Sequence, residues 1–128
     1  RIEEVYIDVS SKKIVENFES YFTEEFDIII DDASHNLRDI LITLPIMFRK
    51  LKKGGYYVIE DFKFPNYFKR CNDVDENTID ILIKKLKNNK KIKSKILQND
   101  TINQLYKAKI FSYKGRSKMS DIVFFQKK

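Results

Sequence analysis

Residues 26–35 read FDIIIDDASH, and this stretch decides the fold. Its three consecutive isoleucines, Ile28 to Ile30, are typical of a strand that is buried on both faces of a parallel sheet. The next strand is predicted at Tyr56–Glu60, which reads YYVIE. Only one helical stripe of apolar residues, over 37–51, separates the two strands. We therefore expect them to be adjacent and parallel, joined by a right-handed crossover.

Further elements flank this pair on both sides. Upstream, Val5–Val9 is rich in β-branched and aromatic residues and predicts a strand. Helical spacing of apolar residues over 14–22 predicts a helix after it. Gly54, the first of two glycines, is expected to end the central helix as a left-handed cap. Downstream, we expect a loop over 61–76, helices over 79–86 and 101–106, and strands at Lys109–Tyr113 and Ile122–Phe125 joined through Gly115 as a hairpin.

This alternation of strands and helices predicts the fold class. It is typical of an α/β protein, a three-layer sandwich with a mostly parallel sheet that ends in an antiparallel hairpin. The chain has 128 residues and a mass of 15.3 kDa, which fits a single domain over residues 1–128.

Composition excludes several classes of protein. Hydrophobic residues make up 42% and charged residues 34%, which argues against long disorder, and no apolar run reaches the length of a membrane span. The single cysteine, Cys71, excludes an internal disulfide framework and any multi-cysteine zinc site. The three glycines are Gly54, Gly55 and Gly115, so no glycine-rich phosphate loop lies within these residues. We expect a cytoplasmic protein without a signal peptide.

The net charge of +6 comes mainly from lysine, and seven lysines lie within residues 84–95. One interpretation is a phosphate-binding patch, as in a basic nucleic-acid-binding module. The other is a solvated helix face and loop. Arginine is scarce and aromatic residues are absent from this run, which favours the solvated face and argues against nucleic acid as the partner.

Acidic residues follow both central strands. Asp31 and Asp32 end the first, and Glu60 and Asp61 end the second. Ligands of open α/β sheets bind at the carboxyl ends of the strands, so these acids are expected to share one crevice. Close carboxylates need a counter-charge, and an all-oxygen set favours Mg²⁺, Ca²⁺ or Mn²⁺ over zinc. The alternative is that the acids only cap the helices that follow them.

His35 is the only histidine and lies three residues after the acidic pair. A lone histidine is more often structural than catalytic. Its place at a strand-to-helix turn beside the acids favours a general base that accepts a proton from a hydroxyl.

FDIIIDDASH, followed by LKKGGYYVIED over residues 51–61, resembles the second half of a class I S-adenosylmethionine-dependent methyltransferase. Within that superfamily it is most similar to the metal-dependent sugar O-methyltransferases of the macrocin and mycinamicin type. The resemblance implies a Rossmann-like fold and an enzyme that uses S-adenosylmethionine and Mg²⁺ to methylate a hydroxyl of a natural-product or surface-polysaccharide sugar.

The resemblance also implies roles for particular residues. Asp32, Glu60 and Asp61 would hold Mg²⁺, and His35 would be the catalytic base. Asp8 and Asp31 would lie in the cofactor site, with Asp8 near the adenine amine.

Two departures from the family pattern affect these expectations. Ala33 stands where the family usually has glycine, so a positive φ there would strain the turn. The glycine-rich cofactor loop is absent, which implies that residues 1–128 are the C-terminal portion of a methyltransferase-like domain. We expect this chain to bind S-adenosylmethionine weakly by itself, and expect either a longer parent chain or an assembly, such as a homo-oligomer, that supplies the missing strands. The alternative functions are a non-catalytic methyltransferase-like binding or structural module, and the basic nucleic-acid-binding module.

Overall fold

A computed structural model describes residues 7–128 and contains four strands and six helices in that part of the chain. The elements, in chain order, are α1 (Lys12–Glu16), α2 (Phe18–Tyr21), β1 (Phe26–Asp31), α3 (Leu37–Arg49), β2 (Leu51–Ile59), α4 (Phe64–Tyr67), α5 (Ile79–Lys87), α6 (Asn99–Lys107), β3 (Lys109–Tyr113) and β4 (Ile122–Gln126). The strands form one sheet in the order β1-β2-β4-β3.

The two central strands are adjacent and parallel, which confirms the sequence-based prediction. Ile28 pairs with Tyr56, and Asp31 pairs with Ile59 at the carboxyl ends of the two strands. Because these ends are level, the turns that follow β1 and β2 lie at the same edge of the sheet.

The closing hairpin is also confirmed, with β3 antiparallel to β4 and β4 antiparallel to β2. β4 lies between β2 and β3, where Phe124 is opposite both Val58 and Phe111. The α/β fold is therefore as expected, although one of the three strand pairings is parallel and two are antiparallel.

The helices cover one face of the sheet. Tyr57, Ile59 and Phe125 point toward them and are at most 1% exposed, within one hydrophobic cluster that includes residues of α3, α5 and α6. On the opposite face Ile28 and Ile30 are 59% and 60% exposed. The prediction that Ile28 to Ile30 are buried on both faces is thus wrong. The described residues form two of the three expected layers, the sheet and the helices on one of its faces. The cause is that β1 is an edge strand and that no described helix packs on its outer face.

Gly54 and Gly55 lie inside β2 rather than at the end of a helix, so the expected glycine cap is wrong. The helix ends at Arg49, and Lys50 caps it with ordinary right-handed dihedrals. The register between β1 and β2 shifts in this region, and Gly54 takes a φ of 81°. A Cβ on Gly55 would lie 2.9 Å from the carbonyl oxygen of Asp27. The two glycines therefore form a bulge in β2. One is needed for its positive φ and the other for the close approach of the neighbouring backbone, which explains why they occur together.

The first predicted strand, Val5–Val9, lies partly outside the described residues. Residues 7–9 have no strand structure, and the helix predicted over 14–22 is divided at Asn17 into α1 and α2. The short helix α4 was not predicted and lies within the expected loop. Pro65 is in the first turn of this helix, where proline is tolerated. Within residues 7–128, no helix combines the length and the apolar character that crossing a membrane requires.

Candidate functional site

The first half of the site is the turn between β1 and α3. The Ser34 hydroxyl donates to Asp39 Oδ2 at 2.7 Å and accepts a hydrogen bond from the Asn36 N–H at 3.2 Å. Such a serine turn supplies local partners for the backbone just before a helix. The first backbone N–H groups of α3 have no partner within the helix and bind instead to a loop that is distant in sequence. The Leu37 N–H donates to the Cys71 carbonyl at 2.9 Å, and the Arg38 N–H donates to Asp73 Oδ1 at 3.0 Å. The turn that carries Asp32 and His35 is thereby fixed at both ends.

The second half is the turn between β2 and α4. The Glu60 N–H donates to the Asp31 carbonyl at 3.0 Å, which continues the parallel pairing one residue beyond the strands. The Asp61 carbonyl accepts from the Phe64 N–H at 3.2 Å. The chain therefore turns away from the sheet at Asp61, beside the first turn.

These two turns bring Asp32, His35 and Asp61 together. Nε2 of His35 lies 3.6 Å from Oδ1 of Asp32 and 3.9 Å from Oδ2 of Asp61. One potential ligand atom from each of the three residues lies within 4.8 Å of the others. The His35 side chain is 19% exposed and that of Asp61 is 32% exposed, so the cluster is open to solvent and accessible to a ligand.

Two of the three cluster residues have a left-handed backbone. His35 has a φ of 59° and Asp61 a φ of 52°. Such conformations cost free energy for residues with a Cβ, and they concentrate at functional sites. Ala33, where a positive φ was a concern, is not among the positive-φ residues. The turn therefore accommodates alanine and takes its left-handed residue at His35.

The ring of Phe64 packs against His35. The two ring centroids are 4.5 Å apart and the planes are inclined by 30°. Phe64 also contacts Phe68, at a centroid distance of 5.3 Å. The segment that carries Asp61 thus also supplies the surface that orients the imidazole, a role that the sequence analysis missed because Phe64 lay in a predicted loop.

Asp31 is tied to the core by a second residue that the sequence analysis missed. The buried Tyr57 hydroxyl donates to Asp31 Oδ2 at 2.8 Å. Burial raises the pKa of Asp31, while the hydrogen bonds from Tyr57 and from the Ala33 N–H act in the opposite direction. Burial and the neighbouring Asp31 raise the pKa of Tyr57 well above its ordinary value, so the phenol remains a donor. Side chains alternate between the two faces of a strand, so Tyr57 lies on the same face of β2 as Ile59. This alternation is the sequence signal that could have identified Tyr57 as a core residue near Asp31.

Lys63, which follows Asp61 in the second turn, forms an ion pair with Asp121, which directly precedes β4. Lys63 Nζ lies 2.7 Å from Asp121 Oδ2, and Asp121 is 7% exposed. Burial alone would raise the pKa of Asp121. The hydrogen bonds from Lys63 and from the Gly115 N–H outweigh it and hold the pKa below its ordinary value. The hydrogen bond to Asp121 likewise raises the pKa of Lys63.

Glu60 and Asp8 do not join the cluster. Glu60 is half-buried, and its carboxylate is not in the group formed by Asp32, His35 and Asp61. Asp8 lies in an exposed turn before α1, where its carboxylate accepts hydrogen bonds from the Ser10 hydroxyl and N–H, which lower its pKa. The structure therefore brings together Asp32 and Asp61 of the predicted metal ligands, with His35 beside them.

The donors fit a divalent metal ion of the magnesium type. Mg²⁺ in proteins is commonly bound through one or two carboxylates and keeps several waters. Asp32 and Asp61 supply that number of carboxylates at one point. Mn²⁺, which shares the preference of Mg²⁺ for carboxylate and water oxygens, also fits these two carboxylates.

A groove of about 480 Å³ runs along the open edge of β1 next to the cluster. Asp31, Asp32 and Thr43 line it together with apolar side chains of β1 and α2. The Thr43 hydroxyl is buried and has no hydrogen-bond partner among the described residues.

No protein-family model matches the chain. L-olivosyl-oleandolide 3-O-methyltransferase from Streptomyces antibioticus is 46% identical over 43 residues, which are 34% of this chain and 11% of that enzyme. Two crystal forms of MycE methyltransferase from the mycinamycin biosynthetic pathway, in complex with Mg and SAH, match 96% of the chain with TM-scores of 0.60 and 0.62. A MycE structure that also contains mycinamycin VI matches equally well, with a TM-score of 0.60.

The sequence identity to the MycE structures is 17–18%, and the chain spans 31–32% of their length. At this identity the likeness concerns the fold, and the short curated match adds a relationship in sequence. The chain has the α/β fold of the corresponding part of the MycE methyltransferase structures, and a short stretch of it is similar in sequence to the L-olivosyl-oleandolide 3-O-methyltransferase.

Proposed function

We propose that this chain is the C-terminal portion of an S-adenosylmethionine-dependent, Mg²⁺-dependent O-methyltransferase that acts on a sugar hydroxyl. The observation that carries the proposal is the convergence of Asp32, His35 and Asp61 at the carboxyl edge of two parallel strands. The relatives support it, since one is named as a 3-O-methyltransferase of an olivosyl compound and another is solved with Mg and SAH.

Asp32 and Asp61 are the proposed ligands of Mg²⁺, whose chemistry would be to bind the acceptor hydroxyl and to make its proton easier to remove. Glu60, which the family resemblance also assigns to the metal, would have to move to join them. S-adenosylmethionine would supply the methyl group. Asp31 lines the groove where part of this cofactor would lie, whereas Asp8 would reach it only if its exposed turn rearranged.

His35 is the proposed general base. Its ring is held by Phe64 on one side, and its Nε2, which lies 3.6 Å from Asp32 and 3.9 Å from Asp61, would accept the hydroxyl proton beside the proposed metal site. Positioning of the hydroxyl oxygen in line with the methyl group would provide much of the remaining acceleration.

Metal binding tests the proposal directly on this chain. We expect Mn²⁺, followed by electron paramagnetic resonance, to bind at one site and to be displaced by Mg²⁺. Asp61→Asn should abolish binding because it removes one of two anionic ligands. Asp27→Asn is the matched control, since Asp27 is 80% exposed and pairs with Lys52 away from the turns. Equal Mn²⁺ binding by wild type and Asp61→Asn would refute the metal site.

Methyl transfer tests the reaction itself. A full-length parent protein that contains this chain is incubated with methyl-labelled S-adenosylmethionine, Mg²⁺ and a glycoside that carries a vicinal diol, and labelled glycoside is measured. His35→Ala should lower the rate by about 10²–10⁴-fold if His35 is the base. Calorimetric titration with S-adenosylmethionine accompanies the assay, and micromolar binding by this chain alone would contradict the expectation that the cofactor site is incomplete.

A further inference from the structure

We propose that the Lys63–Asp121 ion pair is a positioning device for the candidate site, which holds the second turn so that Asp61 and Phe64 reach Asp32 and His35. The inference rests on the proposed function, because it assigns a purpose to the geometry of that metal site. Neither Lys63 nor Asp121 touches the cluster, so both would act through the segment between them and it.

The segment that needs holding is short and carries two functional contacts. Residues 61–64 supply the Asp61 carboxylate at one end and the Phe64 ring at the other. The backbone is left-handed at Asp61, whose carbonyl accepts a hydrogen bond from the Phe64 N–H, and the Lys63 carbonyl accepts one from the Asn66 N–H. Phe62 is 2% exposed and anchors the segment to the core. The ion pair of Lys63 with Asp121 adds a second side-chain attachment to the one that this buried ring supplies.

Asp121 is suited to be that second point because the sheet holds it in place. It directly precedes β4, which pairs with β2 along four residue pairs. Its Oδ1 accepts from the Gly115 N–H at 3.2 Å, while its Oδ2 meets Lys63 at 2.7 Å. Because both oxygens of this buried carboxylate are hydrogen-bonded, its orientation is defined, and it in turn fixes the position of the Lys63 ammonium group.

The other flank of the segment is tied to α5. Asp80 accepts from the Thr78 hydroxyl at 2.6 Å and receives a side-chain hydrogen bond from Asn66 in α4. Its negative charge also acts on Lys63. Lys63 is thus paired with Asp121 and is also subject to the charge of Asp80, so the segment is linked to the sheet and to a helix.

The only histidine of the chain gives a direct readout of this positioning. Because the Phe64 ring stacks on His35, its ring current shifts the His35 C–H proton resonances, and no other histidine obscures them. Phe64→Leu marks the resonance positions without the stacking ring. Lys63→Met and Asp121→Asn should both move the His35 resonances toward those of Phe64→Leu. Lys52→Met is the matched control. Lys52 lies in β2, the strand that leads into the second turn, and the substitution removes an exposed 3.0 Å ion pair with Asp27.

Mn²⁺ affinity is the second readout. Supporting residues of metal sites typically contribute about 10–100-fold to affinity, and we expect Lys63→Met and Asp121→Asn to weaken Mn²⁺ binding by about tenfold. Lys63→Arg, which keeps the ion pair, should restore both the resonance positions and the affinity. All variants are compared at a temperature where circular dichroism shows that they are folded, and Lys63→Met serves if Asp121→Asn does not fold.

The outcomes separate this inference from the proposed function. If Lys63→Met retains the wild-type His35 resonances and Mn²⁺ affinity, the ion pair is only structural and the inference is wrong. If the wild type does not bind Mn²⁺ at all, the proposed function fails, while the His35 resonances still report whether the ion pair sets the position of Phe64.

Discussion

The Tyr57 hydroxyl donates a hydrogen bond of 2.8 Å to the Asp31 carboxylate, and this contact joins the buried core to the edge of the candidate site. The ring of Tyr57 is fully buried beneath the helices, and Asp31 is the last residue of β1. The residue that begins the acidic turn is therefore fixed by packing in the core as well as by strand pairing.

Removal of this hydroxyl should destabilise the fold. Tyr57→Phe keeps the ring and removes one of the two hydrogen bonds to the Asp31 carboxylate, which leaves only that from the Ala33 N–H. We expect the free energy of unfolding in urea to fall by about 1.5–3 kcal/mol, the usual range for a hydrogen bond to a charged group. Tyr56→Phe, on the open face of the sheet, should change it by less than about 0.5 kcal/mol. Equal effects of the two substitutions would show that the Tyr57–Asp31 contact contributes nothing.

Asp61 should reveal the cost of its left-handed backbone. Glycine adopts a φ of 52° without strain and alanine does not. We expect Asp61→Gly to be more stable than Asp61→Ala by about 1 kcal/mol in urea unfolding, although both variants lack the carboxylate and should fail to bind Mn²⁺. The reverse order of stability would mean that the turn does not hold this conformation in solution.

The stability of the fold should depend on the ionisation of Asp121. Its pKa in the folded chain is held below the ordinary value of 3.8, so its stabilising contribution is present above pH 3.8 and is lost as the pH falls through the folded-state pKa. Asp121→Asn should lower the free energy of unfolding by about 1–3 kcal/mol at pH 7, and by less when the pH is below 3.8. Urea unfolding of both proteins at pH 7 and pH 3 measures the difference, which would be constant if Asp121 were not paired in solution.

The bulge in β2 should distinguish its two glycines. Alanine at Gly55 would place Cβ 2.9 Å from one backbone oxygen and 3.0 Å from another, which requires the strands to move. Alanine at Gly54 meets no atom within 4 Å but is strained by the φ of +81°. We expect a loss of about 2–3 kcal/mol for Gly55→Ala and about 1 kcal/mol for Gly54→Ala in thermal or urea unfolding. Similar losses for the two substitutions would argue against the close approach at Gly55.

Local signals in the sequence located the four described strands and predicted the parallel pair and the closing hairpin. The isoleucine run of β1, the YYVI segment of β2 and the spacing between them fixed a parallel pair, because apolar runs of this length separated by one helix have few other arrangements. The acidic residues at the ends of these strands were visible for the same reason. The bulge was misread as a helix cap, because a glycine pair after a helix satisfies either role and only strand register separates them.

Tertiary structure alone decided how the site is supported and which acids meet. Asp32, His35 and Asp61 converge because two turns are level at one edge of the sheet, whereas neighbouring Glu60 does not join them. Phe64, Lys63 and Asp121 reach the site or its support from segments whose patterns carry no periodic signal. Their contacts depend on side-chain packing between distant parts of the chain, and periodicity along the sequence reports only which face of its own element a residue occupies.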